Sequence, residues 1–223
     1  MLLQLDASLR ERIFGVRFGC ATISGILVRS HDEQVWQQMQ SLGQQMAADY
    51  KLEQLSEQPQ IAAVRGMQRA FGFDPTRYRP SSEALLRRVL KGQALPQINS
   101  AVDINNLCSL EFLLPMCMYD LQHVSGCATV RIAAAGTAYP GIGRQVFQVE
   151  QKVIIADDNG VMGTTVSDSE HTKVTTETTQ ILVVMYAPAE SDLTTIERHA
   201  SLVAQRMIEC HGGQVSDLAV LTV

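Results

Sequence analysis

The chain has 223 residues, 46% apolar and 18% charged, a composition that supports a buried core and excludes a disordered or fibrous protein. No apolar run nears the ~18 residues of a membrane-crossing helix, and Asp6 interrupts the apolar start where an export signal would continue, so a cytoplasmic location with no membrane partner is expected. The net charge of −5 argues against DNA binding or general wrapping of nucleic acid, because phosphate neutralisation supplies most of such affinity.

In chain order, residues 18–28 are apolar and β-branched and read as a strand. Val35, Met39, Leu42 and Met46 then step by four, three and four along one face of a helix over 33–50. Pro59 and Gly72 bracket a second helix, Pro80-Ser81 opens a third running to Lys91, and a fourth spans Asn99 to Leu114 before Pro115 stops it. From Cys127 to Ala187 the pattern changes to short β-like runs at 127–134, 145–149, 152–156, 161–166 and 180–187. Asn159-Gly160 between two of these runs is the strongest hairpin signal in the chain. Leu193, Ile196, Ala200, Val203 and Met207 mark a closing amphipathic helix, and Gly212-Gly213 separates it from a last strand over Val215 to Val223. This order predicts an α+β fold, a β-sheet or β-sandwich core flanked by helices, in one domain over 1–223.

Charge is uneven along the chain. Residues 62–91 carry seven basic side chains (Arg65, Arg69, Arg77, Arg79, Arg87, Arg88, Lys91) against two acidic ones, leaving 11 against 21 elsewhere. A basic island on an acidic protein suits a localised anionic partner, the alternative being solvated helix faces paired with carboxylates. The five cysteines form no CxxC pair, which argues against a disulfide framework or a structural zinc site. No GxGxxG, P-loop, HExxH or GxSxG signature occurs, and the five histidines are scattered, so no metal or cofactor is expected. Asp157-Asp158-Asn159-Gly160 reads as turn chemistry ahead of a metal site.

Six collinear segments carry a family resemblance: PSSEALLRRVLKG at 80–92, LPQINSAVDINN at 95–106, LLPMCMYDL at 113–121, VRIAAAG at 130–136, VIIADDNGVMG at 153–163 and SEHTKVTTETTQILVV at 169–184. Together they resemble, over about 60–187, the editing (B3/B4) domain of phenylalanyl-tRNA synthetase β subunits and its stand-alone relatives. The strand and helix of 1–57 and the helix and strand of 191–223 would complete that domain. The resemblance implies hydrolysis of the ester between a wrong amino acid and the tRNA 3′ end, a second sieve behind a synthetic site that discriminates poorly. It implies tRNA as a partner, with a synthetase as a further one, and no ligase activity. Two other classes stay open: a non-catalytic tRNA-binding module, and a domain that binds an amino-acid-like small molecule.

Carried over residue by residue, the resemblance implies a site whose chemistry departs from the family. Cys117 stands where the family has a histidine, either as a wall of the pocket or as a thiol nucleophile awaiting a histidine such as His123 or His171. Glu170 matches a pocket glutamate that can hold the substrate ammonium, or else pairs with Lys173; Asp168-Ser169 replace the two glycines before it. Asn106 either presents its amide to the substrate or ties its helix to a strand. Arg131 faces away from Val130 and Ile132, beside small alanines, where it meets a phosphate or carbonyl or pairs with a core acid. Met116, Thr175, Glu177 and Thr178 complete the expected substrate surface, the last three on an edge or a tight turn, and Arg65, Arg69, Arg79, Arg87, Arg88 and Lys91 the tRNA surface. No general base emerges, so a positioned water and backbone N–H donors to the oxyanion would carry the chemistry.

Overall fold

The computed structural model describes residues 3–143 and 145–223. A short strand β1 (Leu3–Leu5) and one-turn helix α1 (Arg10–Ile13) precede β2 (Arg17–Ser24). Four helices follow, α2 (Glu33–Asp49), α3 (Pro59–Ala70), α4 (Ser81–Leu90) and α5 (Ser100–Phe112). The strand-rich region holds β3 (Met116–Asp120), β4 (Ala128–Ile132), β5 (Ala138–Pro140), β6 (Val146–Gln148), β7 (Val153–Asp157), β8 (Gly160–Gly163) and β9 (Gln180–Ala187). Helix α6 (Leu193–His211) and strand β10 (Gln214–Thr222) close the chain.

The helices begin where their capping chemistry puts them. Asp32, Asn99 and Asp192 accept from the backbone N–H of Val35, Val102 and Thr195 at the starts of α2, α5 and α6, and Pro59 takes the first turn of α3. Helix α5 ends as Leu113 turns left-handed at φ 54°, ahead of Pro115. The strand expected over 18–28 stops at Ser24 because Gly25, at φ 74°, turns the chain away. The strand expected over 161–166 likewise ends at Gly163. Strands β1, β3 and β5 are absent from the sequence reading; β3 is buried at every position, so no polar alternation marks it.

One four-stranded sheet has the order β1-β4-β7-β8, mixed because β1 runs parallel to β4; the other, β10-β2-β9-β3, is antiparallel throughout. The β7–β8 hairpin turns on Asp158-Asn159, and buried Asp157 accepts from the N–H groups of Asn159 and Gly160, so these acids do perform turn chemistry. Gly19 on β2 lets α6 approach: a Cβ there would meet Ile196 at 3.2 Å and Ala200 at 3.6 Å. On β3, Cys117 and Tyr119 reach toward the β8 side of the first sheet. The Cys117 thiol donates to the carbonyl of Thr164, and Tyr119 Oη stands 2.7 Å from where a Cβ on Gly163 would be. Buried apolar side chains of both sheets and the helices join in one cluster, giving an α+β architecture of sheets flanked by helices. Among the described residues no helix is long and apolar enough to cross a membrane.

Candidate functional site

Strand β3 is the edge of its sheet, and a cavity of about 240 Å³ lies along it, between α5 and the segment 164–174. Its walls are largely apolar, from Ile98, Val102, Met116, Met118, Ile142 and Val174, with Cys117, Thr164, Ser167, Asp168, Asn105, Asn106 and Lys173 as the polar groups. The volume lies just below the roughly 300–1,000 Å³ usual for small-molecule pockets and suits an amino-acid-sized moiety better than a larger ligand. Ile98 and Ile142 are 58% and 53% exposed, which gives the mouth an apolar rim.

A second groove of about 470 Å³ adjoins the cavity and shares Ser81, Asn106 and Val166 with it. Arg79, Arg87, Arg88 and Lys91 line this groove, so the basic island of the sequence becomes one wall of a channel leading to the cavity. Its free charge is smaller than composition suggests. Glu83, 1% exposed, accepts from Arg65 twice at 2.7 Å and from Arg87 at 2.6 Å. Burial works to raise the Glu83 carboxyl, but these two guanidinium partners outweigh it and hold the group below the usual glutamate value. Arg65 is therefore an internal counter-ion rather than a phosphate-facing cation, a correction to the sequence reading. Arg69 is exposed but lies outside the groove lining, and Arg88 donates to the Ala94 carbonyl.

Of the residues singled out from sequence, the structure brings Asn106, Met116 and Cys117 together on the cavity wall. Cys117 is 2% exposed; its thiol donates to Thr164 and sits 3.5 Å from Tyr186 Oη. Burial, with the nearby Asp168 carboxyl, pushes it well above the ordinary thiol value, which favours the pocket-wall reading of Cys117 over the thiol nucleophile. The proposed histidine partners are engaged elsewhere: His123 pairs with Asp120, and His171 with Ser169 and Asp157.

The remaining expectations shift outward. Glu170 accepts from Lys173 Nζ at 2.7 Å and from the Gly143 backbone at 3.0 Å, so it braces the loop before β6 and a lysine of the cavity wall without lining the cavity itself. Arg131 lies on β4 opposite Ile154, on the other sheet, and does not line the cavity. Thr175, Glu177 and Thr178 form a tight turn, in which the Thr175 and Glu177 N–H groups donate to Thr178 Oγ1 and Thr175 Oγ1. Thr178 itself is buried and donates to Asp120 at 2.6 Å, which pins the turn to the end of β3 and away from the cavity.

Asp168 is the group that sequence reading missed. Its Oδ2 accepts from the Met118 N–H on the free edge of β3, while Oδ1 is buried without a hydrogen-bond partner. Burial pushes its carboxyl up to about 7. In the sequence it stood out only as a departure from the family's glycines, since an aspartate in a polar loop reads as turn chemistry. Among the described residues no cluster of three or more His, Cys, Asp or Glu could hold a metal ion.

Residues 63–209, more than half of the chain, match the family model of the B3/4 domain. The chain belongs to the B3/4 domain family. It is 31% identical over 106 residues to the phenylalanine–tRNA ligase β subunit of Nitrobacter winogradskyi, covering 47% of this chain but only 13% of that one. It is 21% identical over 220 residues, 96% of both chains, to the uncharacterized protein YhzB of Bacillus subtilis. An N-terminal fragment of the phenylalanyl-tRNA synthetase β subunit from Pyrococcus horikoshii aligns in structure at a TM-score of 0.49 and 12% identity, over 96% of this chain and 49% of that one. The B3/4 match takes in both the cavity and the arginine-lined groove: α4, α5, β3 and the segment 164–174 all fall within it.

Proposed function

We propose that this B3/4 chain is a single unit that acts in trans as an aminoacyl-tRNA deacylase, hydrolysing the ester of a mischarged tRNA. The observation that carries the reading is the shared wall of Ser81, Asn106 and Val166 between an apolar cavity and a basic groove. A tRNA 3′ end in the groove would meet Arg79, Arg88 and Lys91 with its phosphates, and its amino acid would enter the cavity. The ester linkage would then pass Asn106, whose amide is suited to orient the carbonyl or an attacking water. Apolar walls around Met116 and Met118 favour an uncharged side chain. The family relation to synthetase β subunits supports tRNA, and a synthetase, as partners.

The test is single-turnover deacylation of mischarged tRNA by the wild type and by Asn106→Ala and Cys117→Ala. Asn106→Ala should lose most of the rate, and Cys117→Ala should keep most of it because the thiol is protonated and serves as wall. An Asn106→Ala rate equal to wild type would remove the shared wall from the mechanism. A second reading draws on the same Cys117: a neutral thiol in the histidine's place suits a module that binds tRNA without cleaving it. Tight binding of charged tRNA with its ester left intact would establish that reading instead.

A further inference from the structure

We propose that the groove beside Trp36 is a stacking site for an unpaired base of the tRNA acceptor end, upstream of the nucleotide that carries the amino acid. The inference rests on the reading that places a tRNA 3′ end in the basic groove, and it does not depend on hydrolysis.

The first observation is continuity. The basic groove runs the length of α4, lined by Ser81, Ala84, Leu85 and Arg88 and, just past the helix end, by Lys91. At its Ser81 end it adjoins the apolar cavity. At its far end Gln93 belongs both to it and to a third groove, of about 410 Å³, between α2 and the turn after α4. From Ser81 to Lys91 the helix spans about 15 Å at 1.5 Å per residue. That is the reach of about four stacked nucleotides at roughly 3.4 Å each, or of fewer extended ones. An amino acid seated in the cavity therefore leaves an upstream base of the same strand at the third groove.

The second observation is the chemistry of that groove. Met39, Val89 and Leu95 are buried and give it an apolar floor. Trp36, the single tryptophan of the chain, is half-buried and forms a wall. Among the described residues its indole stacks on no other ring and meets no cation. Gly43 and Ala47, one turn apart on α2, put no bulk into the space. Gln40, Gln44 and Gln93 are exposed around it, and an amide offers both a donor and an acceptor to a base edge.

The third observation is charge. The chain carries −5 overall, yet no acidic side chain lines either groove. Arg88 and Lys91 stand next to the junction of the two, and Arg88 also donates to the Ala94 carbonyl, which fixes the turn that joins them. Cations beside an apolar trough with a free aromatic face are how single-stranded nucleic acid is held, phosphates on the charges and a base on the ring. An apolar peptide would use the floor and the ring but not the adjoining cations.

Because the chain has one tryptophan, its intrinsic fluorescence reads the site directly. Titration with uncharged tRNA should quench it saturably. The same tRNA without its unpaired 3′ nucleotides should bind more weakly and leave the emission nearly unchanged. Trp36→Leu, which keeps an apolar side chain against the core, should lose about 10- to 100-fold in affinity for intact tRNA, measured by filter binding. Its slope of log affinity against log salt should match wild type, since an indole releases no counter-ion. Trp36→Tyr keeps a stacking face and should bind within a few-fold of wild type, so the wild-type quenching and this variant carry the test if Trp36→Leu does not fold. Binding of intact tRNA without quenching, or Trp36→Leu at wild-type affinity, overturns the stacking site and leaves tRNA in the basic groove. Emission that shifts with protein concentration alone makes the groove a contact between copies and also overturns it. Quenching by tRNA with no hydrolysis of any mischarged tRNA upholds the site and removes the deacylase reading. A wild type that binds no tRNA overturns both.

Discussion

Asp168 carries a stability consequence independent of any substrate. Its folded-state value, about 7, lies above the ordinary aspartate value of 3.8, so across that window the folded chain holds a proton that the unfolded chain has released. Stability therefore declines as pH rises from about 4 to about 7, and the ionised carboxylate remains a penalty above it. Asp168→Asn removes the charge and should raise stability at pH 8 by roughly 1–3 kcal/mol, with little change below pH 4, read from urea melts at the two pH values. No gain at pH 8 would mean that the carboxyl is solvated in the folded state. Gly163→Ala should do the opposite, losing about 1–3 kcal/mol through overpacking against Asp168 and Tyr119. At this scale the sequence was informative about Asn106, Met116 and Cys117, which a shared motif order placed near one another. It was silent about Asp168, whose burial depends on β8 and the edge of β3 coming together across about 50 residues of chain. It left two alternatives open for Arg131 and for the VTTETT segment, of which the structure shows the tight turn for the latter, because alternation along one strand does not say which sheet the strand joins.

Among the elements, α3 and α4 are joined through Glu83, and this junction carries the groove. Removing its charge leaves the Arg65 guanidinium, 14% exposed, without a counter-ion. Glu83→Gln should cost about 3 kcal/mol at pH 7. The folded-state value of Glu83 lies below 4.5, so the stability it contributes is present above pH 4.5 and lost as pH falls through that lower value. Wild type and Glu83→Gln should accordingly converge in thermal stability in strongly acidic buffer. A constant gap across pH 7 to 3 would show that the pairing contributes nothing. The helices were legible because their cap residues and their apolar spacing of three and four agree, and the β7–β8 hairpin because Asp157 and Gly160 form its turn. Strand β3, which lines the cavity, was not legible as a strand, since its five buried positions resemble any short apolar run.

Over the whole molecule, an acidic chain presents a basic groove that adjoins an apolar cavity. Part of the +5 read from the sequence is neutralised internally by Glu83, which leaves Arg79, Arg88 and Lys91 to face a partner. Arg79→Glu and Lys91→Glu should each weaken tRNA binding and lower the salt dependence by about one counter-ion, measured as the slope of log affinity against log salt. An unchanged slope in both would move the RNA surface elsewhere. The most direct measurement of the central claim is a deacylation screen of the wild-type protein against a panel of mischarged tRNAs that includes non-protein amino acids. Hydrolysis of at least one member carrying an uncharged side chain, well above its rate in buffer, is the expected result. Intact esters across the panel, with protein in excess, would contradict it.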